Sequence, residues 1–191
     1  MAADYDDLRD QLTVSLPGAL PAAIDMELGA VLREFSRITS AIVEAENFTT
    51  VALTLTYTIT PTGNVSQLLN IEDSEGNPVV GNYAFAQPNT IEFFSQPTVG
   101  EVYTANVAVT PSASESSIEA RAPAWVWSKY RDVLLDGTLG RMMTQPAKPY
   151  RQDQTGIYHL RRYRDGLAQA RGETLRRYSF RGQGWAFPKF A

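Results

Sequence analysis

Apolar residues recur every three or four positions near the two ends of the chain and every second position between them. In PGALPAAIDMELGAVLREFSRITSAI, residues 17–42, the side chains of Ile24, Leu28, Val31, Phe35, Ile38 and Ile42 make one continuous stripe, which predicts an amphipathic helix. Pro21 suits its first turn, where a missing N–H costs nothing, and Asp25 and Glu27 precede Arg33 and Arg37 in the order the helix dipole favours. A lone apolar stripe has to be buried, so this helix is expected to pack on helices from the far end of the chain.

The period then changes from helical to alternating. In TVALTLTYTIT, Val51, Leu53, Leu55, Tyr57 and Ile59 alternate with threonines, which predicts a half-buried strand over residues 50–60, ended by Pro61 and Gly63. Further strands are predicted at 65–71, 79–85, 90–94 and 101–110, separated by the turn-rich segments EDSEGNPV, AQPN and SQPTVG. Five or six short strands at this spacing predict a small antiparallel sandwich or barrel inserted between helices. The stretch TPSASESSIEARAP, residues 110–123, reads as a flexible return linker.

After it the helical period returns. A helix is expected from about Ala124, with Val126, Tyr130, Val133, Leu134 and Gly137 on one face. A break follows, built from Gly137, Gly140, Pro146, Pro149 and Tyr150. A second helix should start near Asp153 as N-cap and bury Ile157, Leu160, Tyr163, Leu167, Ala170 and Thr174. Gly156, Gly166, Ala168, Ala170 and Gly172 lie along it; a helix that keeps so many small residues uses the close backbone approach they permit. Arg161, Arg162, Arg164, Arg171, Arg176 and Arg177 are too many to bury and well placed for a neighbour. The last segment, YSFRGQGWAFPKFA, spaces Tyr178, Phe180, Trp185, Phe187 and Phe190 among Gly, Arg and Pro, and is expected as an extended docking tail. The fold class is therefore α+β: a helical bundle from both chain ends (1–46 and 113–177), an inserted β domain (47–112) and a tail (178–191).

Charge sharpens this picture. Residues 1–120 hold three Arg against 16 acids, whereas residues 121–191 hold 14 Lys and Arg against five acids, so a net −4 conceals halves of −13 and +9. In an assembly of identical subunits, such asymmetry lets one copy's basic face meet an acidic neighbour. At 43% apolar and 20% charged the chain is composed like an ordinary globular protein. With no Cys, thiolate catalysis, disulfides and Cys-ligated metals are excluded. The acidic start lacks a signal-peptide pattern and no run reaches the roughly 20 apolar residues that span a bilayer, so a soluble intracellular product without a membrane partner is expected. His159 is the single His and reads as a surface or interface residue. The DYDD and EDSEG clusters read as a solvated terminus and a turn, because neither has Ca-loop spacing. Phosphate-loop, nucleophile-elbow and dinucleotide-binding signatures are missing, and neither an enzyme nor a cofactor is expected.

Two segments together resemble the head-to-tail adaptor (connector) proteins of tailed bacteriophages: LPGALPAAIDMELGAVLREFSRIT near the start, and YRDVLLDGTLGRMMTQPAKPYRQDQTGIYHLRRYRDGLAQAR near the end. They cover under half of the chain, and their order and separation carry the likeness. Ser36 stands where many relatives have Cys, and Tyr150 where Trp is frequent. The resemblance implies a structural virion protein of the phage neck, assembled in the host cytoplasm: a ring of twelve copies under the portal protein, extending the channel for double-stranded DNA without sequence-specific contact. Tyr178, Phe180, Arg181, Trp185, Phe187 and Phe190 would dock on the portal, and the opposite side would receive a tail or nozzle protein. Two other readings start from the residues alone. The strands could present Tyr83, Phe85 and Phe94 as a carbohydrate- or host-surface-binding platform, or the basic half could bind DNA directly by backbone contact.

Overall fold

Two helices, not one, precede the strands. The computed structural model describes residues 3–86, 89–112, 120 and 122–178, and over these the chain is a mixed α+β fold of five helices and two small antiparallel sheets. Helix α1 (Ala3–Ser15) occupies the acidic stretch expected as a solvated terminus. Tyr5, Leu8 and Leu12 recur at helical spacing and are buried with Leu16, while Asp6, Asp7 and Asp10 stay exposed. The Tyr5 ring meets Trp127 edge-on at 5.2 Å, which ties the start of the chain to its later helices.

Helix α2 (Pro21–Thr39) has Pro21 in its first turn and buries Ile24, Leu28, Val31 and Phe35, with Ile38 half-buried. It ends at Ser40, whose left-handed φ of 53° caps the helix while its N–H donates to Ser36 O at 2.9 Å. Ile42 lies beyond that cap, at the entrance to the first strand. Asp25 and Glu27 do not sit in the first turn; they reach across to other helices, Asp25 to Arg9 at 3.1 Å and Glu27 to Arg141 at 3.1 Å.

Strands β1 (Val43–Thr49), β6 (Val102–Thr110) and β3 (Asn64–Glu72) form one sheet with β6 in the centre; β2 (Thr56–Thr58), β5 (Thr90–Phe93) and β4 (Tyr83–Ala86) form the other, with β5 in the centre. The strands thus begin at Val43, four residues before the expected boundary. Central β6 buries Tyr103, Ala105, Val107 and Val109. The sheets meet through aromatic rings: Phe48 packs on Tyr57 at 5.1 Å and on Tyr103 at 5.9 Å, and Phe93 lies 5.9 Å from Tyr103. The strand expected over 50–60 is corrected to three residues. Among the described residues β5 is its one partner; the ladder ends where Phe93, the last residue of β5, donates to Leu55 O at 2.8 Å, and the side chains of Val51, Leu53 and Leu55 are exposed. The 79–85 strand likewise shortens to β4. The EDSEG cluster is the expected turn, with Asp73 Oδ1 accepting the N–H groups of Glu75 and Asn77 and these bonds holding its carboxyl below the usual range.

The long helix expected from Ala124 divides at Tyr130 into α3 (Ala124–Lys129) and α4 (Arg131–Met143), and α5 (Asp153–Tyr178) follows. Gly137 and Gly140 do not break the helix as expected; both lie inside α4 and are buried. They are contact points. A Cβ on Gly137 would come within 2.7 Å of Val31 and 2.9 Å of Tyr163, and one on Gly140 within 2.8 Å of Leu160 and 2.9 Å of its backbone nitrogen; on α5, a Cβ at Gly166 would meet Val133 at 2.6 Å. α4 is thus pressed between α2 and α5 at a distance that only glycine allows. The break itself lies at 144–152, where Tyr150 is buried and donates to Gln145 Oε1 at 3.2 Å. Asp153 is the first helical residue rather than the cap.

Overpacking a seam of this kind costs about 1–3 kcal/mol, more than the ~1 kcal/mol that Gly→Ala returns in helix propensity. Gly140→Ala should therefore lower stability in urea denaturation. Gly172→Ala, whose Cβ would find only the far end of Arg176 at 3.6 Å, should raise it by about 0.5–1 kcal/mol.

Candidate functional site

Helix α5 buries one face and displays the rest. Gly156, Tyr163, Leu167, Ala170 and Thr174 turn inward, while all six arginines at 161, 162, 164, 171, 176 and 177 are exposed. Arg161, Arg164 and Arg171 share a stripe with Ile157 and Leu175, which are half in solvent, and none of the three forms an ion pair among the described residues. The exposed side of α5 is thus a basic stripe with Ile157 and Leu175 at its two ends.

Arg162 and Arg141, which do have acid partners, tie α4 to its neighbours. Asp136 on α4 is only 4% exposed, and its carboxylate is met by His159 Nδ1 at 2.7 Å and Arg162 Nε at 3.1 Å, both from α5. A carboxylate this deep requires such partners. Among the described residues no hydroxyl is hydrogen-bonded to His159, so the pair acts as a tie between α4 and α5. On the other side of α4, Arg141 bridges Glu27 and Glu34 of α2, and Tyr163 OH donates to Glu34 Oε2 at 3.2 Å. Burial, reinforced by Glu34, pushes the Tyr163 phenol well above its ordinary range; burial and Asp25 push Tyr5 up to about 12.

Between the end of α2, the edge of β3 and the last turns of α5 lies an open depression of about 430 Å³. Ile38, Leu69, Leu175 and Tyr178 form its apolar surface, and the guanidinium groups of Arg37 and Arg171 stand at its rim. Arg37 also borders a second hollow with Arg33, Glu34 and Arg141. Among the described residues no group of three or more His, Asp or Glu side chains is arranged to hold a metal, and no helix is long and apolar enough to cross a membrane.

Of the expected docking residues, Tyr178 ends α5, half-buried, in the wall of that depression, while Phe180, Arg181, Trp185, Phe187 and Phe190 lie outside the described residues. The aromatic platform does not assemble: Tyr83 and Phe85 are half-buried against the core, burial raising the Tyr83 phenol, and only Phe94 is exposed. The residues that sequence reasoning missed are Asp136, whose burial nothing in the pair Asp136-Gly137 signals, and the Arg37–Arg171 rim, whose members lie 134 positions apart. No known protein family matches this chain, and neither does any curated protein.

Asp136→Ala should cost about 1–3 kcal/mol, the range for stranding buried polar partners, whereas Arg162→Ala at the exposed side of the cluster should cost less; chemical denaturation reads both. Because the folded state keeps Tyr5 and Tyr163 protonated longer than the unfolded chain does, stability should hold steady below pH 10 and fall as pH rises toward 12. Tyr163→Phe should flatten that fall.

Proposed function

We propose that this chain is a structural virion protein, the head-to-tail adaptor of a tailed bacteriophage, which closes into a twelve-membered ring beneath the portal, extends the DNA channel and offers the attachment surface for a tail or nozzle protein. On this reading the helices form one bundle as the wall of the ring, the strands form a small sandwich carried on it, and residues 178–191 dock on the portal. The observation that carries it is the segregation of charge. Residues 38–120 contain nine acids and no Lys or Arg, while α5 exposes six arginines, of which Arg162 alone has an acid partner among the described residues.

Opposite charges kept apart on one subunit can meet across a contact between subunits, and a closed ring needs two different complementary surfaces on each copy. The resemblance of the two helical segments to the adaptor family supports the same assignment. Burial of Phe180, Trp185, Phe187 and Phe190 on a partner, at about 25 cal/mol per Å², would supply the affinity of that docking. DNA passes such a ring without base readout, so most of the arginines serve protein contacts.

Size-exclusion chromatography with light scattering, alone and with portal rings, should give a ring or a portal-ring stack in the full chain. Removing residues 179–191 should leave a folded protein that portal rings no longer retain in a pull-down. A monomer indifferent to portal, or a truncated chain retained normally, would overturn the assignment.

A further inference from the structure

The loop before β2 does something that folding does not ask of it. Leu53 is 97% exposed and held at φ 61°, a left-handed conformation that costs a branched apolar residue free energy and that Asn or Gly would adopt with less strain. Val51 beside it and Val99 on the facing loop are more than half exposed. These side chains are not on a loose tip. Buried Tyr57 clamps the loop, accepting the Val51 N–H at 3.1 Å and donating to Thr54 O at 2.9 Å. Thr50 binds across to Thr98, Gly100 and Glu101, and Gln96 Nε2 donates to Val51 O at 3.1 Å. A bare leucine on a hydrogen-bonded, strained loop is preorganised for contact: the ordering is complete before any partner arrives, which lowers what association costs.

The same chain carries a matching hollow. The depression sets an apolar wall of Ile38, Leu69, Leu175 and Tyr178 beside the polar side chains of Gln67 and Thr174, is large enough for a leucine and a valine, and is bordered by Arg37 and Arg171. The knob belongs to a stretch with nine acids and no cation, so charge favours its pairing with a hollow bordered by two arginines. Leu53 does not fill the hollow of its own chain, because it is free in solvent.

We infer that the Leu53 loop of one copy inserts into the α2–β3–α5 depression of the next copy. A knob and a hole at different places on one subunit make a heterologous, head-to-tail contact, the kind that closes a ring when its rotation permits. The inference rests on the homo-oligomeric part of the proposed function and names the contact that would build it.

The chain has no cysteine, which makes the test direct. Leu53→Cys and Leu175→Cys are made separately in the full chain, mixed and oxidised; the mixture should give a disulfide-linked dimer on non-reducing gels, and neither variant alone should. Leu53→Asn removes the knob while suiting the left-handed backbone, so its melting temperature should equal or exceed that of the parent while self-association weakens by about thirtyfold, as for loss of a hot-spot residue. Cross-linking of Leu53→Cys alone, or no cross-link in the mixture of folded variants, would overturn the contact. So would protection of Leu175→Cys from a thiol reagent in dilute monomer that vanishes when residues 179–191 are removed, since the chain's own end would then fill the hollow. Portal retention without a mixed cross-link would sink this contact and spare the adaptor assignment; a cross-link without portal retention would do the reverse.

Discussion

Everything in the helical layer depends on how closely α4 can approach its neighbours. α4 is buried along nearly its whole length, with α2 on one side and α5 on the other, and the approach is set by glycines where a single Cβ would stand less than 3 Å from Val31, Tyr163, Leu160 or Val133. Glycine inside a helix is unfavourable by itself, so the packing must return more than the lost propensity. Once α4 is at that distance, Asp136 falls within reach of His159 and Arg162, and Arg141 within reach of Glu27 and Glu34. The polar ties are a consequence of the close approach, and they lock the relative register of three helices that come from opposite ends of the chain.

That arrangement also decides which charges are left over. Arg141 and Arg162 are consumed inside the helical layer, whereas Arg161, Arg164 and Arg171 line the outer stripe of α5, and Arg37 and Arg171 meet at the rim of one depression. The strand-bearing part carries no cation to neutralise its own acids. A chain built this way keeps charge of both signs apart on its surface. Electrostatics of this range, screened beyond about 10 Å at ordinary salt, orients an encounter, while apolar contacts such as Leu53 in a hollow would supply its affinity.

The two sheets are held by a shared cluster of aromatic rings, and the loop that departs most from expectation is anchored on one of them. Tyr57 contributes its ring to that cluster and its hydroxyl to the 51–54 backbone, so the same residue closes the core and stiffens the exposed loop. Core packing and surface display are therefore coupled at a single side chain.

Read alone, the chain determined its α+β class, the face that α2 buries, the inward face of α5 at Tyr163, Leu167 and Ala170, the exposure of six arginines and three of the strands, because each of these follows from local periodicity and charge. Helix α1 was equally legible in the spacing of Tyr5, Leu8, Leu12 and Leu16, but its acidic surface masked the stripe. What only the tertiary structure decided were facts about partners. Alternation in TVALTLTYTIT states that a strand could form there, and the end of β5 at Phe93, opposite Leu55, decides that the ladder stops short of Val51 and Leu53. Gly137 and Gly140 look like breakers in isolation; they are contact points because of what lies opposite them. The depression and its arginine rim exist because residues 37, 69 and 171 are brought together, and no local pattern encodes a distance between elements so far apart in the chain.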